Sequence, residues 1–132
     1  MASWNERERE EIEFRMAAVQ KFLEQWQKLN VLFQRAYRQE EITQQDEEEF
    51  LKLKSVVARR HQYLLEYLGE EYEMGLPVTP LLSDMVTLRN LQGIHWDFYK
   101  KLRGQWHVTF LALNSALGYL MVHMEEQIPL PS

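Results

Sequence analysis

The chain contains no cysteine. Disulfides, thiolate metal sites and a cysteine nucleophile are therefore excluded. Glycine (5) and proline (4) are too scarce among 132 residues for a collagen-like or low-complexity chain. No stretch alternates apolar and polar residues for the length of a strand, and there is no Asn-Gly or Asp-Gly hairpin pair, so the usual signals of β-structure are missing. A basic excess is missing too. Residues 1–66 carry 11 basic against 13 acidic side chains, and residues 67–132 carry 4 against 7, which gives the net charge of −5. Neither half is a basic module, so duplex DNA and anionic membrane are poor default partners. The acidic N-terminus lacks the apolar core of a secretory signal, and a cytoplasmic location is the resulting expectation.

Reactive constellations are equally sparse. There is no Gly-x-Ser-x-Gly, no glycine-rich phosphate loop and no dinucleotide fingerprint. None of His61, His95, His107 and His123 has a glutamate three residues before it, the spacing that di-iron bundles need, and no His-Glu-x-x-His occurs. Catalysis, bound metal and cofactor are not expected.

The last absence is the most informative. Residues 104–124 contain no Asp, Glu, Lys or Arg, while everything upstream is heavily charged. Folding should draw much of its driving force from this run. At 100° per residue, Trp106, Phe110, Leu113, Leu117, Leu120 and Met124 share one face. Val108, Ala112, Ala116, Tyr119 and Val122 share another, and a narrow polar seam holds His107, Asn114 and Ser115. The length would suit a bilayer, but His107, Thr109, Asn114, Ser115 and His123 interrupt it, so a buried helix is expected.

What is present reads as helix. A hydrophobic content of 45% with 12% aromatics supports one folded domain over residues 1–132 rather than disorder. Asn5 can cap a first helix running to about residue 39, with Glu6, Glu8, Glu10 and Glu11 in its early turns, where the helix dipole favours negative charge. Ile12, Met16, Val19, Leu23, Trp26, Asn30, Phe33 and Tyr37 recur at alternating spacings of four and three, a heptad stripe with one polar member. Asn30 either fixes register or sits at an edge in water. Phe22, Leu29 and Leu32 widen the stripe, so two packing neighbours are expected.

Thr43 with Asp46 three residues on resembles a capping box and opens a second helix. Its inward positions are Phe50, Leu53, Val57, Leu64 and either Tyr67 or Leu68, with Arg60 or His61 on the remaining layer. Gly69 should weaken it, and Gly75 with Pro77 should end it. The short connection favours an antiparallel hairpin with the first helix. Thr79 and Pro80 suit the cap and first position of a short third helix carrying Leu81, Leu82, Met85, Val86, Leu88 and Leu91, stopped by Gly93. The last helix should run from about His95 to Gln127, with Gly104 marking a kink or a close-packing point. The expected fold is an all-α bundle of three long helices and one short one, with an N-terminal antiparallel hairpin.

Three functional expectations follow. The hairpin must close its own seam, which leaves little apolar surface to cover the uncharged helix on every side. Either that helix threads the centre, or one face remains for another chain: a scaffold, adaptor, inhibitor or small subunit that homo-oligomerises or docks through Val108, Ala112, Ser115, Ala116, Tyr119 and Val122. Alternatively, Arg89, Lys100, Lys101 and Arg103, interleaved with Trp96, Tyr99 and Trp106, can contact RNA or single-stranded nucleic acid, although the acidic chain weighs against this. A third expectation is a small-ligand sensor bundle with a pocket at His107, Asn114 and Tyr119.

Overall fold

A computed structural model describes residues 4–68 and 77–131, and the loop expected around Gly69 and Gly75 lies mostly outside them. Among the described residues there are five helices and no strand: α1 (Glu6–Tyr37), α2 (Gln44–Tyr67), α3 (Val78–Asp84), α4 (Leu88–Leu91) and α5 (Trp96–Glu126). The fold is all-α.

The caps are those the sequence encodes. Asn5 Oδ1 accepts from the Glu8 amide at 2.9 Å, and Glu8 Oε2 accepts from the Asn5 amide at 3.1 Å. At the start of α2, Thr43 Oγ1 accepts from the Asp46 amide at 3.1 Å and Asp46 Oδ2 from the Thr43 amide at 2.9 Å. Each pair satisfies two amides that the first helical turn leaves without partners. Asp46 also meets Arg35 of α1 at 3.3 Å, across the turn. The Thr43 amide, then the Arg35 guanidinium, hold its carboxyl below the usual carboxylate range.

Contacts along the helices fix their directions. Arg35 meets Asp46 near the turn, and the ring of Phe14 meets Tyr63 and Tyr67 at the far end. Partners rise along α2 as they fall along α1, so the hairpin is antiparallel. Likewise Tyr37 stacks on Tyr99 and Trp26 on Trp106, so α5 also runs antiparallel to α1.

It is α1, not the uncharged helix, that lies at the centre. It packs on α2, α4 and α5. It buries Ile12, Val19, Phe22, Leu23, Trp26, Leu29, Leu32, Phe33 and Ala36. The widened stripe of α1 gives it two apolar sides, and these are what two long neighbours need. α5 buries one stripe only: Tyr99, Leu102, Thr109, Leu113, Ala116 and Leu120. Tyr99 Oη donates to Gln34 Oε1 at 2.9 Å between α5 and α1, and a reciprocal tryptophan pair joins the same two helices. Trp26 Nε1 donates to the Trp106 carbonyl at 3.0 Å, and Trp106 Nε1 donates to the Trp26 carbonyl at 2.8 Å. The rings lie parallel, with centroids 6.4 Å apart.

The single short helix expected after residue 77 is two. α3 starts at Val78, so Thr79 and Pro80 fall inside its first turn, where a proline's missing amide is no loss. The chain leaves helical geometry at Met85, and Thr87 restarts it by accepting from the Asn90 amide at 3.0 Å. The break frees carbonyls, and Lys54 of α2 reaches across to donate to that of Met85 at 2.6 Å. Burial of this ammonium lowers its pKa. Of the two candidates on α2, His61 takes the buried layer and Arg60 stays half-buried.

Gly93 turns the chain into α5 at φ +75°, a left-handed conformation that glycine adopts without steric cost. His95 then caps α5, its Nδ1 accepting from the Asp97 amide at 3.1 Å. The helix continues through Gly104 without a break.

Candidate interaction surface on the last helix

The side of α5 turned away from α1 carries the stripe Gly104, Val108, Leu111, Ser115, Gly118 and Val122, and every member is exposed. Val108 is 52%, Leu111 54% and Val122 48% accessible. Met121 and Tyr119 are also exposed at its flanks. The stripe follows from arithmetic on the buried set. Residues at alternating spacings of three and four stay on one face, and the outward positions lie half a turn from Leu102, Thr109, Leu113 and Leu120. The uncharged run therefore has its two sides used differently, one in the core and one in solvent.

The glycines on this stripe are unusual. A Cβ added at Gly104 or Gly118 would meet nothing within 4 Å. Gly104 is thus not a close-packing point among the described residues. Glycine inside a helix costs about 1 kcal/mol relative to alanine. Here no neighbouring element of the same chain needs the space.

The expected interface residues divide. Val108, Ser115, Tyr119 and Val122 are on the surface, Ala112 is half-buried, and Ala116 is in the core. Ala116 is a correction: it lies on the inward stripe with Leu113 and Leu120. The expected inward face holds, with Leu113 and Leu120 buried and Trp106, Phe110, Leu117 and Met124 packed against the core, but the outward face is centred on Leu111 and Gly118 rather than on Ala112 and Ala116. The exposed heptad that includes both glycines was legible in the run itself.

The basic residues are not gathered on one face. Lys100 and Arg103 share the ring of Trp96, each 5.7 Å from its centroid. Arg103 also lies over Tyr99 at 5.5 Å. Lys101 turns toward α3 and pairs with Asp84 at 3.3 Å. Arg89 is held by the turn before α2, donating from its guanidinium to the Ile42 carbonyl at 3.5 Å. Beside Lys100 and Arg103 a cleft of about 490 Å³ opens between α1 and α5, lined also by Asn30, Gln34, Gly104, Trp106 and His107. Asn30 lies half-buried at this edge, accepting from Gln34 at 3.4 Å.

The expected ligand pocket does not form. His107 and Asn114 are exposed, and Asn114 Nδ2 donates back to the Phe110 carbonyl of its own helix at 2.9 Å. Tyr119 lies on the other flank, its ring tilted 45° against that of His123 with centroids 4.4 Å apart. A separate groove of about 620 Å³ lies between α1 and α2, floored by Phe14, Ala17, Ala18, Val56 and Tyr63 and edged by Lys21, Arg59 and Arg60. Among the described residues no cluster of three or more His, Asp or Glu side chains could hold a metal ion. None of the described helices is long and apolar enough to cross a membrane.

No protein-family model matches the chain, and no curated protein or solved structure is similar to it.

Proposed function

We propose that this chain is a non-enzymatic helical interaction module that engages another protein chain through the outward face of α5. One observation carries the proposal: an uncharged stripe about 27 Å long, holding Val108, Leu111 and Val122, stays in solvent while α1 and α3 pack against the opposite side of the helix. Apolar side chains aligned on one face of a charged protein mark interfaces, because water contact there is relieved only by a partner. The flanking charges keep the module soluble until it docks. The cytoplasmic setting expected from the sequence belongs to the same proposal.

The nucleic-acid alternative has less support. Its four cations are split: Lys101 pairs with Asp84, Arg89 with the Ile42 carbonyl, and Lys100 and Arg103 engage the Trp96 ring on which a base would stack.

Photo-crosslinking in the host cell tests the proposal. A benzophenone side chain at Leu111 should give discrete adducts, and Val122→Glu should abolish them. Val122 is nearly half exposed, so that change should alter stability by no more than about 0.5 kcal/mol. Leu51, exposed on α2, is the control position. Crosslinking no stronger from 111 than from 51 would overturn the proposal.

A further inference from the structure

We infer that the partner of this face is a second copy of the same chain, docked antiparallel about a twofold axis level with residue 113. The inference rests on the interaction surface proposed above and names its occupant. When the outward stripe is laid against itself in this register, Gly104 faces Val122, Val108 faces Gly118 and Leu111 faces Ser115. Every large side chain meets a small one, so knobs enter notches in each layer. The two glycines, at which an added Cβ would meet no described residue of their own chain within 4 Å, then have a use: they admit the valines of the other copy.

Charge selects the same arrangement. The face is neutral in the middle, net basic over the first turns of α5, where Lys100, Lys101 and Arg103 outnumber Asp97, and acidic at Glu125 and Glu126 where it ends. The antiparallel register brings Lys100 and Lys101 of one copy beside Glu126 and Glu125 of the other. Among the described residues these lysines meet Asp97 at 3.8 Å and Asp84 at 3.3 Å and lie over the rings of Trp96 and Phe98, and both side chains remain at least half exposed, with room for a further carboxylate. A parallel pair would instead set lysine on lysine, glutamate on glutamate, and glycine on glycine with a void between. A surface complementary to itself in both size and charge is what a closed twofold dimer requires.

Sedimentation equilibrium of the purified full chain tests this directly. The expected result is a reversible monomer–dimer equilibrium. Gly118→Leu should weaken it at least about tenfold by filling the notch for Val108. Gly118→Ala should separate the two roles of the glycine: the monomer melts at a higher temperature while the dimer weakens. Lys100→Glu and Glu126→Lys should each weaken the dimer, and the double variant should recover it. A wild-type chain of monomer mass at every concentration would overturn the inference, as would Gly118→Leu dimerising like wild type. If Gly118→Leu does not fold, the charge exchange decides alone: recovery in the double variant supports the register and its absence overturns it. A monomeric purified chain that still crosslinks from position 111 to other proteins in the cell would end the second-copy inference and leave the interaction surface standing. Failure of both experiments would end both.

Discussion

Two glutamines carry backbone strain. Gln39, just past α1, and Gln127, just past α5, sit at φ +59° and +54°. A side chain with a Cβ adopts this left-handed region at a cost, whereas glycine does so freely. Both end helices by offering their amides to carbonyls of the last turn: Gln39 to Ala36 at 2.9 Å and Gln127 to Met124 at 3.4 Å. Gln39→Gly should therefore raise stability by about 0.5–1 kcal/mol, read from the urea midpoint. An unchanged or lower midpoint would show that the glutamine side chain contributes more than its conformation costs. Gly93 is the converse case. It already has the freedom that its φ of +75° demands, and Gly93→Ala should destabilise for the same reason.

Between elements, the reciprocal indole–carbonyl pair is a specific tie of α1 to α5, beside the bond from Tyr99 to Gln34. Each indole donor reaches a main-chain oxygen of the other helix, so the two bonds share one geometry. Trp106→Phe should cost about 1–3 kcal/mol, since it deletes a donor and part of the ring stack. Trp26→Phe should cost more, because Trp26 is wholly buried and leaves a cavity. In a double-mutant cycle, the coupling should exceed about 0.5 kcal/mol. Strictly additive losses would mean that the two bonds form independently. The break between α3 and α4 is the weaker joint, closed by Lys54 on the Met85 carbonyl rather than by helix continuity.

At the scale of the whole molecule, pH reports on burial. His61 lies in the hairpin core, and desolvation lowers its pKa from about 6.5. The unfolded chain then takes up a proton at a pH where the folded chain resists it. Stability is full above about pH 6.5 and falls as pH drops below it, until the folded form is protonated too. His61→Gln should flatten that slope below about pH 6.5 in chemical denaturation curves. An undiminished slope would assign it to other groups. Asp46 acts in a separate, more acidic window. Its lowered pKa supplies stability above the ordinary carboxylate range, and this is lost as pH falls through the folded value.

Helix caps, heptad spacing and composition determined by themselves that this chain is all-α, where α1 and α2 begin, and that α1 needs two neighbours. Those are short-range matters: a capping residue and its partner lie three residues apart, and an apolar stripe is a property of one helix. Which helix occupies the centre was decided only by the tertiary structure. The sequence left open whether the most apolar segment threads the centre or keeps one face outside; α1 has two apolar sides to satisfy, and α5 gives only one to the core. The break at Met85 was equally invisible, because carbonyls freed by a break need a donor, and Lys54 lies on another helix. The outward face of α5 was legible as a surplus of apolar residues. Its centre shifted from Ala112 and Ala116 to Leu111 and Gly118, because a helix apolar nearly all round does not specify which side turns in. Only packing against Trp26 and its neighbours on α1 selected the side.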